Sequence, residues 1–125
     1  MIVLKNGINR SEAVRAMRLL GEELNRYKAG YSSLPSKTYL DNVLDTIEGS
    51  IRLGEVEYRN IWIDLESNPD PNEILAYCEK NFNSIFTGDG CIVLRLSGRV
   101  DWMNKDDFKK LLESQQSEME KMSGL

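Results

Sequence analysis

The chain has 125 residues, 41% of them apolar, and a net charge of −4 from 16 Lys and Arg against 20 Asp and Glu. That length and composition suit one domain with its own hydrophobic core, so neither disulfides nor a metal are needed to fold it. The absence of histidine excludes Ser-His-Asp and Cys-His nucleophile systems and imidazole-ligated metal sites.

Residues 2–4 predict a short buried strand that breaks at the turn pair Asn6-Gly7. A first helix follows, with Asn9 as its cap and Glu12 three residues later as a capping box. Ala13, Ala16, Met17, Leu20, Leu24 and Tyr27 form its apolar face before Gly30 stops it. After a loop over residues 31–36, a second helix runs from about Lys37 to Leu53, with Gly54 as terminator and Gly49 as an earlier fraying point. Ile61-Trp62-Ile63-Asp64-Leu65 is rich in strand formers and predicts a second strand, closed by Ser67-Asn68-Pro69. Asp70-Pro71-Asn72-Glu73 has the pattern of a helix start, with Ile74, Cys78, Phe82 and Ile85 on the buried side of a third helix ending near Phe86.

Residues 87–90 turn the chain into Cys91-Ile92-Val93-Leu94-Arg95-Leu96, a nearly continuous apolar run that suits a strand covered on both faces. Strand, helix, strand implies a right-handed parallel crossover. Ser97-Gly98 suits a two-residue hairpin into residues 99–103, which adds an antiparallel edge strand. A last helix follows Asn104. Phe108, Leu111, Leu112, Met119 and Met122 mark its apolar side, and Gln115 and Gln116 interrupt it. The expected fold is therefore α/β, built on a parallel crossover with an antiparallel edge strand and a last helix.

The charge is uneven: residues 1–30 carry +3 and residues 31–66 carry −4. Asp41, Asp45 and Glu48 recur along the second helix within about 60° of one another at about 100° per residue, while Leu40, Val43, Leu44, Ile47 and Ile51 fall on a neighbouring arc. Like charges four apart cost a helix roughly 0.2–0.5 kcal/mol, so helix stability does not explain the stripe, and a basic partner would. Nucleic acid would need a basic patch and is not expected as a direct ligand. The opening residues are too few and too soon interrupted for a signal peptide, and no apolar run approaches a membrane span, so the expected compartment is the cytoplasm. Cys78 and Cys91 suit packed thiols in a reducing compartment better than a metal site, with a bridge between them possible but not favoured. No metal or cofactor is expected.

The stretch Leu40-Asp41-x-x-Leu44-Asp45-x-Ile47-x-Gly49, the Val56-Glu57-Tyr58 that follows, the opening Val3-Leu-Lys-Asn-Gly7 and the run from Gly90-Cys91 to Ser97 together resemble the barstar family of ribonuclease inhibitors over residues 2–97. The resemblance implies an α/β fold with a small three-stranded parallel sheet packed by helices, with residues 1–97 as its core and residues 98–125 as a C-terminal extension on the same domain, and no catalytic activity. It implies that Asp41 and Asp45, flanked by Tyr39, Leu40 and Glu48, cover the basic active site of a nuclease or toxin, as an inhibitor or immunity protein does. The chain would then act as a monomer or weak dimer.

Two other chemistries compete. An adaptor or phage-type accessory protein would bind through the C-terminal helix, with Met103, Met119 and Met122 as its contact surface. A Mg²⁺-dependent phosphoryl-transfer enzyme would use Asp64 and Glu66 at a strand end with Asp70 nearby, although acidic residues beside Pro69 ordinarily serve as turn and helix caps.

Overall fold

The computed structural model describes residues 2–80 and 90–123, with residues 2–9 described as backbone alone. The first element is a long helix, α1 (Ile2–Tyr31). Ala13, Ala16, Met17, Leu20 and Leu24 recur at helical spacing and are wholly buried, so the apolar face read from the sequence is the face that packs. The expected strand over residues 2–4 and the break at Asn6-Gly7 are corrected: the backbone there is helical. Asn and Gly together cost a helix interior only about 1.5 kcal/mol, too little to impose a stop. The helix also runs past Gly30 and ends where Ser32 turns left-handed at φ 57 and donates its N–H to the Lys28 carbonyl.

The second helix, α2 (Lys37–Thr46), is shorter than the expected 37–53. Ser36 caps it by accepting from the Tyr39 N–H at 3.2 Å. Gly49 at φ 85 reverses the chain into a 3-10 turn over Ser50–Leu53, and Gly54 at φ 65 closes that turn. Arg52 reaches back to Glu12 of α1 at 3.1 Å, and Leu53 is buried.

The sheet overturns the expected topology. Four strands, β1 (Glu57–Tyr58), β2 (Ile74–Lys80), β3 (Gly90–Arg95) and β4 (Val100–Asn104), lie in the order β1-β2-β3-β4, and every neighbouring pair is antiparallel. No three-stranded parallel sheet and no parallel crossover exist among the described residues. The expected strand at 61–65 is a 3-10 turn, Asn60–Trp62, followed by coil from which Ile63 and Leu65 pack on the core. The expected third helix is β2. Its start signal makes a turn instead: Asp70 accepts from the Asn72 N–H at 2.9 Å, and the Glu73 N–H donates to the Asp70 carbonyl at 3.0 Å. The rest of that expected helix, with Phe82, Ile85 and its end near Phe86, and most of the expected turn at 87–90, lie outside the described residues.

The C-terminal part follows the sequence more closely. β3 is buried from Gly90 to Leu94, and a tight turn with Gly98 at φ 98 joins it to β4. Asn104 caps α3 (Lys105–Gln115) by accepting from the Asp107 N–H at 2.8 Å. A short last helix, α4 (Glu118–Ser123), follows a break.

Alternation along the strands makes three layers. Ala76, Cys78, Ile92 and Leu94 face α1 and α2, while Ile74, Cys91 and Val93 face Phe108 of α3. Cys78 pairs with Ile92 and Cys91 with Glu79, so the two thiols sit one step apart on opposite faces of the sheet, where no bridge can form. Residues 98–123 thus contribute β4, which pairs along β3, and α3, whose Phe108 covers the second face.

Candidate functional site

The loop before α2 is fixed before the acidic residues begin. Pro35 is buried, and its carbonyl accepts from the Tyr58 hydroxyl at 2.9 Å and the Asn60 side-chain amide at 3.2 Å. Burial, with Tyr27 nearby, pushes the Tyr58 phenol well above its usual value, so it stays a donor. Ser36 then caps the helix, and Leu40 sinks into the core at 0% exposure.

Of the five residues expected to meet a partner, Asp41 and Asp45 stand exposed one turn apart on α2. Lys37 pairs with Asp41 at 2.7 Å across one turn, with both side chains about half exposed. Such a pair is worth about 0.3–0.5 kcal/mol and leaves the carboxylate open to a stronger partner. Glu48 is exposed but lies past the helix end, in the turn that Gly49 closes, so it is off the Asp41–Asp45 stripe. Tyr39 is half-buried with its ring 4.7 Å from Tyr27, which in turn lies 4.5 Å from the exposed Tyr31. Leu40 is part of the foundation, not of the surface.

The expected Mg²⁺ cluster does not assemble. Asp64 is consumed by a turn, accepting from the Glu66 N–H at 2.9 Å and the Ser67 hydroxyl at 2.6 Å, and those bonds hold its carboxyl below the usual range. Asp70 caps its own turn. Among the described residues no group of three or more acidic or cysteine side chains gathers to hold a metal ion, and no helix is long and apolar enough to cross a membrane.

Two features escape the sequence. The first is a buried ion pair. Arg59, 3% exposed, donates Nε and Nη2 to the two carboxylate oxygens of Glu120, both at 2.8 Å, and Glu120 is itself 6% exposed. Nη1 donates to the Ile74 carbonyl at 2.6 Å and lies 3.5 Å from Glu73. The only local hint is Ser117-Glu-Met-Glu120, a capping-box pattern in which Ser117 does accept from the Glu120 N–H, at 3.1 Å. The second is a groove of about 440 Å³ between β2 and α3, floored by Tyr77, Phe108 and Leu112 and rimmed by Lys109 and Glu113. The Tyr77 and Phe108 rings are 4.8 Å apart, and burial, with Glu57 and Glu120 nearby, raises the Tyr77 phenol. Predicting Tyr77 in a helix hid this groove.

Desolvation raises both thiols to about 11, so neither is a nucleophile near neutral pH. No family model, no curated protein and no solved structure matches the chain.

Proposed function

We propose that this chain is a non-catalytic binding domain whose α2 face docks on a basic protein surface, in the manner of an inhibitor or immunity protein covering the cationic site of a nuclease or toxin. The antiparallel sheet withdraws the fold as support, so the proposal rests on charge and rigidity. One observation carries it: Asp41 and Asp45 project side by side from a helix that Ser36, Pro35 and Leu40 hold from the other side. Carboxylates fixed in this way lose little conformational freedom on binding and steer a cationic partner toward one register.

The test uses the native chain and an Asp41→Ala, Asp45→Ala variant as paired baits, with the captured protein then purified and titrated against both. Each substitution is expected to weaken binding roughly thirtyfold, or about 2 kcal/mol, as for central contacts. Stability should move by less than about 0.5 kcal/mol, because both side chains are exposed. Equal affinity for both baits places the site elsewhere.

A second reading, an adaptor binding through α4, is favoured by Met119 and Met122, each 72% exposed. It predicts that Met119→Lys, Met122→Lys abolishes association while the Asp pair is silent. Both substitutions leave Glu120 on Arg59.

A further inference from the structure

The last helix is inside out: its charged Glu120 is buried and its two methionines face solvent. The break that produces this arrangement contains no Gly or Pro. α3 stops at Gln115, Gln116 is extended at φ −79 and ψ 135, and α4 begins at Glu118. Three contacts hold the break from outside. The Gln115 side chain accepts from the Ile74 N–H at 2.8 Å, the Gln115 carbonyl accepts from Arg59 at 3.5 Å, and Glu120 is gripped by Arg59 through two bonds.

The same residues also encode one continuous helix. At about 100° per residue, Phe108, Leu111, Leu112, Gln115, Met119 and Met122 fall on a single arc about 100° wide, with Glu120 about 120° from Phe108. Continuing the helix through Gln116 and Ser117 would bring the methionines onto the stripe that α3 already lays against the sheet, and would carry Glu120 off Arg59. The local signals are balanced: Ser117 caps a new helix, while Gln115, Gln116 and Glu118 have ordinary helix-forming preference. Arg59 decides between the two.

We propose that the C-terminal segment is a two-position element: broken at Gln116 with Glu120 latched on Arg59, or released as one helix running from α3 through Met122. The latch joins distant parts of the chain, because Arg59 directly follows β1 and also binds the first carbonyl of β2. A ligand that competes for Arg59, or that prefers the continuous apolar stripe, would shift the element from one position to the other.

The test reads backbone chemical shifts of the full chain in two variants. Glu120→Gln weakens the latch and is expected to move Gln116 and Ser117 from extended toward helical shifts, with the β3 and β4 shifts unchanged. Gln116→Ala with Ser117→Ala keeps Glu120 and Arg59 intact, favours the helix locally, and is expected to move residues 118–122 onto a helix continuous with α3. Three results overturn the proposal: Gln116 staying extended in both variants, residues 118–122 turning to coil without helix at 116–117, or loss of the β3 and β4 shifts on Glu120→Gln. The last would make the pair a support of the whole fold.

Discussion

Arg59 and Glu120 are unequal partners in the pair they form. The guanidinium also binds the Ile74 carbonyl and approaches Glu73 and the Gln115 carbonyl, whereas the carboxylate has, among the described residues, only Arg59 and, at 3.3 Å, the Gln116 amide. Truncating one member of a buried pair costs about 3–5 kcal/mol when the other stays trapped. Here Glu120 sits on α4, a helix of six residues that the two-position proposal lets leave, so Arg59→Ala should cost about 3 kcal/mol, chiefly through the β1 and β2 groups it releases. Glu120→Ala should cost about half as much, and the double variant should match Arg59→Ala alone. Urea unfolding of the three variants measures this, and a larger loss for Glu120→Ala would reverse the assignment. The pair was illegible in the sequence, because its partners are 61 residues apart and each lies among ordinary surface residues. Asp41 and Asp45 were legible as exposed because helical periodicity places them, and the same periodicity sets Leu40 on the core arc.

Elements were legible where several local signals agree and illegible where one signal serves two structures. The apolar run at 91–96, the Ser97-Gly98 turn and the Asn104 cap each point one way, and they became β3, its hairpin and α3. Asp70-Pro71-Asn72-Glu73 begins a helix or makes a side-chain-capped turn equally well, and Ile74 to Cys78 is too short a run to show its period. Reading that segment as a helix required a crossover and therefore a parallel sheet, and the strands misread at 2–4 and 61–65 supplied its other members, so three misread segments together produced the wrong topology. The strand pairs themselves make a sharp prediction. A Cβ on Gly90 would sit 2.6 Å from both the Met103 carbonyl and the Trp102 ring, which forces β3 away from β4. Gly90→Ala should destabilise by about 2–3 kcal/mol, as overpacking does. Gly30, inside α1 with nothing among the described residues within 4 Å of its added Cβ, is the control: Gly30→Ala should be neutral or stabilise by about 0.5 kcal/mol. Thermal denaturation of both variants checks the contrast, and a tolerated Gly90→Ala would mean that the two strands can separate cheaply.

At the scale of the whole molecule, the sheet is a wall between two apolar layers, and each layer holds one thiol: Cys78 toward α1 and α2, Cys91 toward α3. Because both are desolvated, their protons are held to about pH 11 in the folded state, against 9.0 for the free group. Above pH 9 the unfolded chain therefore loses thiol protons that the native chain keeps. With fewer protons bound in the unfolded state, stability falls as pH rises. The contribution is complete below pH 9 and is lost progressively toward pH 11, where the native thiols ionise and the layers must admit charge or open. The raised phenols of Tyr58 and Tyr77 extend the same trend from pH 10 upward. The expected measurement is a urea midpoint that is flat from pH 7 to 8.5 and declines between 9 and 11. A Cys78→Ala, Cys91→Ala variant should start from a lower midpoint, because each substitution leaves a small void, yet decline less steeply over that interval. Identical slopes in the two proteins would show that the alkaline loss comes from elsewhere and that the thiols are wetter than a closed three-layer fold allows.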